Sequence, residues 1–191
     1  IDARIFRVSF TGELGYEVSV ATSYGLALWQ AFQRVGENYD LMPIGTEALH
    51  VLRAEKGYIA VGHDTDGSVT PGDLGMDWIV AKKKDFLGRR SLKRPDSLRR
   101  DRKHLVGLLP EALVPEGAQV VAEYKRKPPM KMIGHVTSSY DSATLGRPIA
   151  MALIAGGRER MGEMVTIPLT LEGRVVRAEI VSPVFYDPKG E

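Results

Sequence analysis

Two glutamates flank a short glycine-containing segment near the start of this 191-residue chain. Glu13 and Glu17 are four residues apart and would share one face of a continuous strand, but Gly12 and Gly15 interrupt that strand. A carboxylate at the start of a strand, beside such a turn, can face a cavity. There it can accept two N–H donors from a planar heterocycle such as an aminopyrimidinone ring. An exposed hairpin charge is the alternative, and the local sequence leaves both interpretations open.

Other catalytic and metal-binding patterns are missing from the sequence. No histidine has a partner at the i, i+4 spacing of a helical metal site, and no cysteine completes a zinc set, so we expect no metal. We interpret the four histidines as structural or surface residues: His50, His63, His104 and His135. The sequence also contains no nucleophile elbow, no phosphate-binding loop and no dinucleotide fingerprint. Hydrolase and nucleoside-triphosphatase functions therefore have no support.

The composition is typical of a folded protein that binds neither nucleic acid nor membrane. Apolar residues make up 43% of the chain, and 26 basic residues against 24 acidic ones give a net charge of +2. No apolar run reaches the roughly 18–20 residues that span a bilayer. The absence of cysteine fits a reducing cytoplasm, which is the expected location. Because a strand pattern begins almost at Ile1, we expect the chain to start inside a longer protein.

Local patterns predict the elements that carry Glu17. Polar and apolar residues alternate over Arg4–Phe10 and Tyr16–Val20, which predicts a hairpin that turns through Thr11–Gly15. A helix follows, capped by Ser23 and ended by Gly36. Its apolar residues recur at helical spacing and predict one buried stripe, formed by Leu26, Leu28, Trp29, Phe32 and Val35.

A second helix and a long loop are predicted next. Thr46 is a suitable N-cap and Gly57 closes the helix, whose buried stripe is expected to contain Leu49, Val51 and Leu52. Residues 63–75 are rich in glycine and aspartate, which predicts a loop long enough to be suspected of function. The apolar segment Met76–Val80 predicts a strand, in which Trp78 is expected to belong to the core.

A basic segment separates two predicted units. Lys82–Lys103 contains eleven basic residues, and we interpret it as a solvated connection with a short helix over Arg89–Lys93, since charge runs are typical of solvated segments. Nucleic-acid binding is the alternative. After it, short apolar segments between glycine and proline turns predict a small all-β barrel or sandwich. The predicted strands are His104–Leu109, Gln119–Tyr124, Met132–Ser138, Ile149–Ile154, Met164–Leu169 and Val175–Val181.

Several ordered motifs together resemble the aminomethyltransferase (glycine-cleavage T-protein) family. They are Thr11–Glu17, Gly45–Gly57, Ile133–Ser138, Leu145–Ala150 and the tail Ser182–Pro188. The resemblance covers nearly the whole chain and implies an α+β fold. Residues 1–95 would form the C-terminal half of a folate-binding α/β domain. Residues 103–191 would form the small C-terminal antiparallel β-barrel of that family.

Within this family, three segments look most like the α subunits of heterotetrameric sarcosine oxidases: His63–Gly67, Lys82–Leu92 and Arg94–Asp96. The resemblance implies that sarcosine is oxidised elsewhere in a complex that contains FAD, FMN and NAD. The resulting imine would react with tetrahydrofolate in this region and give 5,10-methylenetetrahydrofolate and glycine, with hydrogen peroxide from flavin reoxidation. Other oxidase subunits and folate would be the partners. The alternatives are a dimethylglycine oxidase or dehydrogenase module and a non-catalytic scaffold of the same fold.

The resemblance also implies which residues bind folate. Glu17 matches the glutamate that binds the pterin ring, and Tyr16, Phe10 and Tyr186 are further cofactor-binding candidates. Phe10 departs from the family because relatives often have tyrosine there. The family's catalytic aspartate lies N-terminal to this chain. We therefore expect no catalytic residue among these 191 residues, and no activity from them alone.

Two further family positions lie on the predicted second helix. Leu49 and His50 stand where the aminomethyltransferases have an arginine and an aspartate, which argues against a true T-protein. Arg53 matches a second family arginine, and we expect a structural role for it.

Overall fold

Two regions of different construction follow each other along the chain. A computed structural model describes residues 1–125, 127 and 129–190. The first region contains two strands and two α-helices: β1 (Ala3–Phe6), β2 (Glu17–Val20), α1 (Gly25–Gly36) and α2 (Thr46–Glu55). The second region contains six strands: β3 (Lys103–Pro110), β4 (Gln119–Val121), β5 (Met132–Ser142), β6 (Arg147–Ala155), β7 (Met164–Leu169) and β8 (Arg174–Val181). The predicted α+β class is confirmed.

The six strands of the second region close into a barrel. Their order is β3-β6-β5-β4-β7-β8, β8 pairs again with β3, and every neighbouring pair is antiparallel. All six predicted strands are present; β5 and β6 are longer than predicted, and β4 ends at Val121 rather than at Tyr124. Their inward side chains form one core, which includes Val106, Leu108, Val120, Val136, Ile154, Ile167 and Ile180. Closure leaves the barrel without a free strand edge.

A bulge in β5 interrupts the regular pairing with β6. Val136 pairs with Ala152 and Ser138 pairs with Met151, so Thr137 is an extra residue between them. In a regular strand, neighbouring side chains point to opposite faces, whereas a bulge redirects them. The hydroxyls of Thr137 and Ser138 consequently reach the same carboxylate of the first region.

The predicted hairpin of the first region is confirmed, but its connection is longer than predicted. β1 and β2 pair in antiparallel register from Ala3 opposite Val20 to Phe6 opposite Glu17, and residues 7–16 connect them. α1 ends at Gly36 as predicted, but Ser23 lies in a preceding 3₁₀ turn and makes no capping hydrogen bond.

The predicted burial of the α1 stripe is wrong. Leu28 is half-buried, whereas the other four stripe residues are exposed, namely Leu26, Trp29, Phe32 and Val35. The spacing correctly identified an amphipathic helix. Such a pattern gives the direction of an apolar face and not the element that covers it, and no described element packs against this one.

α2 also differs from its prediction. It begins at Thr46, but Gly45 occupies the N-cap position and no side chain caps the helix. The predicted apolar stripe is only half-buried, and the fully buried residues are Arg53, Ala54 and Glu55 near its end. Two charged residues take the buried positions because polar groups of the barrel satisfy them.

The connection between the regions has little regular structure. The strand predicted over Met76–Val80 is wrong, because the segment pairs with no other strand and forms a 3₁₀ turn over Asp77–Ile79. The core position predicted for Trp78 is also wrong, since this residue is 78% exposed. Of the helix predicted over Arg89–Lys93, a 3₁₀ turn over Ser91–Lys93 is present. In the described part of the chain, no helix is long and apolar enough to cross a membrane.

The proposed domain ranges, 1–95 and 103–191, stay predictions, and residue 191 lies outside the described residues. The barrel strands begin at Lys103. Between the ranges, the Arg102 guanidinium donates two hydrogen bonds to Asp73, at 2.8 and 2.6 Å, and others to Asp96 and to the Ser68 carbonyl. One side chain thus ties the long loop and the basic connection to the beginning of the barrel.

Candidate functional site

Glu17 opens β2 and lies on an uncovered face of the hairpin. It pairs with Phe6 of β1, and directly paired residues of an antiparallel sheet project on the same face. Its side chain is exposed, and no described residue donates a hydrogen bond to its carboxylate. Both carboxylate oxygens are therefore free to accept donors from a ligand. The described residues form no closed pocket around it, and its role in pterin binding stays a prediction.

A cavity of about 1100 Å³ lies between the hairpin connection and the barrel. Its walls are mainly apolar and come from the hairpin connection, the end of α2, the long loop, β8 and the tail that follows β8. Phe10 lines this cavity, whereas Glu17, Tyr16 and Tyr186 do not. The structure therefore brings only one of the four predicted site residues to this cavity.

The two tyrosines lie at other places on the surface. Tyr16 is 60% exposed next to β2, and Tyr186 is 45% exposed in the C-terminal tail. The main-chain N–H of Tyr186 donates a 2.9 Å hydrogen bond to the carbonyl of Glu55 at the end of α2. Their assignment as folate-binding residues stays a prediction.

Aromatic rings connect the hairpin connection, α2 and the long loop. The Phe10 ring meets the His50 ring edge-on with centroids 6.4 Å apart, and the His50 and His63 rings are 5.7 Å apart. His63 Nδ1 lies 2.9 Å from a carboxylate oxygen of Glu116 on the barrel. In the ranges that the structure describes, no group of three or more potential ligands is placed to hold a metal ion.

A buried ion pair fixes α2 to the barrel. Arg53 and Asp64 are both fully buried and form a salt bridge. The Arg53 guanidinium also donates to the Ser138 hydroxyl at 2.6 Å and to the Tyr58 carbonyl at 3.1 Å. The hydroxyls of Thr137 and Ser138, brought together by the bulge, donate to the other oxygen of Asp64. These contacts compensate the loss of hydration of both charges and give Arg53 the structural position that was expected.

Glu55 forms a second buried polar contact with the barrel. One oxygen of its carboxylate accepts a hydrogen bond from the Ser142 hydroxyl, and the other accepts one from Thr144 at 3.0 Å. Arg53 and Glu55 are two apart on the helix and do not face each other. Each reaches a different part of β5 and the turn after it, so the end of α2 is held at two points.

The pKa of Asp73 is the clearest electrostatic feature beside the barrel. Burial raises the pKa of this carboxyl, but hydrogen bonds from Arg102 and from the N–H and hydroxyl of Thr70 outweigh that effect. The pKa of Asp73 is consequently below its ordinary value. On the neighbouring barrel surface, burial and the positive charge of Lys103 lower the pKa of His135.

Sequence reasoning missed three residues that define this region. Asp64 lies in the long loop suspected of function, yet only the fold shows that it is the partner of Arg53. Trp78 lines the large cavity on the side of the long loop, not the core. Lys56 directly precedes Gly57, at the point where the second helix was predicted to close. This place at the predicted end of the helix is the only feature of the local sequence that indicates a contact between the Lys56 side chain and another element.

Two protein-family models match the chain in consecutive segments. Residues 1–84 match the GCVT N-terminal domain, and residues 103–187 match the glycine cleavage T-protein C-terminal barrel domain. The chain is 49% identical over 195 residues to a sarcosine oxidase subunit alpha of Corynebacterium sp. (strain P-1) and 38% identical over 191 residues to that of Rhizobium meliloti (strain 1021). It is 36% identical over 197 residues to an aminomethyltransferase of Streptomyces coelicolor.

A solved structure shows a similar fold. The crystal structure of the glycine cleavage system aminomethyltransferase T from Bartonella henselae aligns with 95% of this chain at a TM-score of 0.79 and 25% identity, and 49% of that protein is covered. The chain covers 20% of the length of the Corynebacterium subunit and 50% of the length of the Streptomyces protein. Because its first part and its barrel match the two domains of one family in order, the chain belongs to the glycine-cleavage T-protein family.

Proposed function

We propose that this chain is the folate-binding part of a sarcosine oxidase α subunit. In this function it binds tetrahydrofolate, which accepts the one-carbon unit of the imine formed from sarcosine. The products are 5,10-methylenetetrahydrofolate and glycine, with hydrogen peroxide formed in the oxidation step. FAD, FMN and NAD belong to other parts of a cytoplasmic heterotetramer, and these 191 residues alone are inactive.

Similarity over the whole chain is the observation that carries this proposal. The subunits from the two Corynebacterium strains are 49% and 46% identical to it over 100% of its length, whereas the aminomethyltransferases are 33–36% identical. Both of these Corynebacterium matches span the whole chain, from the hairpin to the barrel. The higher identity therefore favours the oxidase subunit over an aminomethyltransferase.

The chemistry at Glu17 supports the folate part of the proposal. A pterin ring presents an amino group and a ring N–H side by side, and a carboxylate accepts from both through charge-assisted hydrogen bonds. Glu17 has two oxygens without a protein donor among the described residues, on an uncovered face. The residue thus offers the charge and the geometry that this ligand requires, and its main chain is fixed by pairing with β1.

The exposed apolar surface of the first region explains why this site is open. Ile5 and Phe6 of β1 and Leu26 and Trp29 of α1 are all exposed. Contiguous exposed apolar faces are normally covered by a partner. In the proposed subunit, the half of the folate domain that this chain does not contain covers them and completes the wall around Glu17. That half also supplies the catalytic aspartate.

Calorimetric titration of the assembled oxidase with tetrahydrofolate tests the proposal, with this chain in its full-length subunit. In Glu17→Gln, the loss of charge-assisted hydrogen bonds is expected to raise the Kd about tenfold or more. Glu13→Gln is the matched control, because it removes an exposed carboxylate from the same turn, and its Kd is expected to equal that of the wild type.

Turnover measurements distinguish the alternatives. Sarcosine should give hydrogen peroxide, with methylenetetrahydrofolate when folate is present and formaldehyde when it is absent. Wild-type protein that binds no tetrahydrofolate would overturn the folate site and support a scaffold. Folate binding with peroxide formed from dimethylglycine but not from sarcosine would overturn the substrate assignment.

A further inference from the structure

The C-terminal tail is docked on the end of α2. The main-chain N–H groups of Phe185 and Tyr186 each donate a 2.9 Å hydrogen bond to the carbonyl of Glu55. This carbonyl is one of the last in the helix, which have no partner within the helix itself. Gly57 adopts a positive φ of 69°, and a Cβ atom at this position would lie 2.5 Å from the Pro183 carbonyl oxygen. The tail therefore lies in direct contact with the helix end.

Lys56 links the docked tail to the helix end through its side chain. Its ammonium group donates to the main-chain carbonyl and to the carboxylate of Asp187, both at 2.8 Å. The Lys56 side chain is 11% exposed, so the ion pair is largely shielded from solvent. Asp187 has a positive φ of 44°, a backbone conformation that residues other than glycine rarely adopt.

The methylene groups of the same lysine support the hairpin connection. Gly12 has a φ of +86°, and a Cβ atom added to it would lie 2.5 Å from Cε and 2.6 Å from Cγ of Lys56. A free lysine side chain would move aside at little cost, but the ion pair with Asp187 fixes its far end. The glycine turn consequently rests on a side chain that the tail holds in place.

This turn lies between two of the predicted folate-binding residues. Phe10 precedes it and lines the large cavity together with Lys56, and Glu17 follows it at the start of β2. A displacement of the turn would move Phe10 and change the direction in which the chain enters β2 at Glu17, whose main chain is paired with β1. The tail, which lies 170 residues further along the chain than Glu17, is thereby connected to the candidate site.

We propose that the Lys56–Asp187 ion pair is a latch through which the C-terminal tail positions the Thr11–Gly15 turn for folate binding. Lys56 and Asp187 are positioning residues in this proposal and do not contact the pterin. The proposal rests on the proposed folate site, and it adds that the tail sets the affinity of that site. Lys56→Met, which keeps most of the stem, and Asp187→Asn, which removes the charge, both release the latch.

The test uses the assembled oxidase with the full-length subunit. The Kd for tetrahydrofolate is expected to rise about tenfold in Lys56→Met and in Asp187→Asn, because small displacements of positioning groups have effects of this order or larger. Lys56→Arg keeps the charge and should restore most of the affinity. Lys83→Met, at an exposed lysine, is the control and should bind as the wild type does. Equal Kd values in wild type, Lys56→Met and Asp187→Asn would overturn the latch.

Hydrogen exchange of the turn separates this proposal from the folate site itself. The main-chain amides of residues 11–16 are expected to exchange faster in both latch variants, with unchanged exchange in the barrel strands. This readout requires no folate. Wild-type protein without folate affinity would overturn the proposed function, whereas unchanged exchange at residues 11–16 would overturn the latch. Faster exchange throughout the barrel would indicate a general structural role and would also overturn it.

Discussion

The barrel and the first fifty residues differ in the extent to which their residues are buried. In the barrel, closure pairs every strand on both sides, and the inward residues form one continuous core. Between residues 1 and 50, all of which the structure describes, Gly36 is the only buried residue. The hairpin has two strands and two open edges, which is marginal for an isolated sheet. The barrel carries its own core, whereas the first region presents surfaces that require a partner.

This difference indicates which residues of the proposed folate site are held in position by contacts within the chain. The end of α2 is anchored by buried polar contacts to the barrel, so the residues near it are well positioned. Glu17 lies further from this anchor, on the uncovered hairpin. The proposed folate site therefore combines an element supported by the barrel with one that depends on the remainder of the domain.

The largest effect is expected from removing the buried Arg53–Asp64 ion pair, which connects the two regions. Arg53→Met leaves the Asp64 carboxylate buried without its cation, which is expected to lower the free energy of unfolding by about 3–5 kcal/mol. Chemical denaturation measures this change. The double variant Arg53→Met, Asp64→Asn should recover part of the loss. Arg99→Met, in an exposed ion pair, is the control. An equal effect in both arginine variants would contradict the stabilising role of the buried Arg53–Asp64 pair.

A pair of truncations tests the contrast directly. Ile167→Ala in the barrel core is expected to cost about 2–5 kcal/mol, because it leaves a cavity. Leu26→Ala on exposed α1 is expected to change the unfolding free energy of the 191-residue chain by less than about 0.5 kcal/mol. In the full-length subunit the Leu26→Ala cost should increase toward that of Ile167→Ala. No increase would mean that the α1 face stays uncovered there.

The smallest expected effect is a change in the acid dependence of stability. Since the pKa of Asp73 is lower in the folded protein than in the unfolded chain, its stabilisation is present above the unfolded pKa of about 3.9 and is lost as the pH falls through the folded value. Asp73→Asn should therefore reduce the decline of the unfolding free energy below about pH 4. The measurement is a denaturation series across pH, and Asp141→Asn, at an exposed aspartate, is the control. Identical slopes of unfolding free energy against pH in wild type and Asp73→Asn would contradict the stabilising role of the Arg102–Asp73 hydrogen bonds.

The sequence predicted the barrel more accurately than the first region. Short apolar segments between glycine and proline turns located all six barrel strands, because each strand buries one face against a core made by the others. In the first region the same reasoning found the hairpin and both helices but misplaced burial. The apolar neighbours of Trp78 predict a core position, whereas the fold leaves this residue on a cavity wall.

The candidate site was predictable only in part. The hairpin placed Glu17 at the beginning of a strand, and the family resemblance added its expected role. The fact that Phe10 and Lys56 line one cavity follows from contacts between segments distant in sequence. The same holds for the buried charges of α2, since a helix pattern does not show which residues elsewhere in the chain are the partners of Arg53 and Glu55.

The amino-acid sequence by itself determined the order of elements, the β-barrel and the family, because periodicity and short motifs are local properties. Tertiary structure decided which of the charged residues are buried, which glycines lie in close contact with another segment, and that Lys56 connects the tail to the hairpin turn. These features depend on distances between residues that the chain separates widely, as in the contact of Asp187 with Lys56 and of Lys56 with Gly12. Packing brings such residues together, and no local pattern encodes the pair.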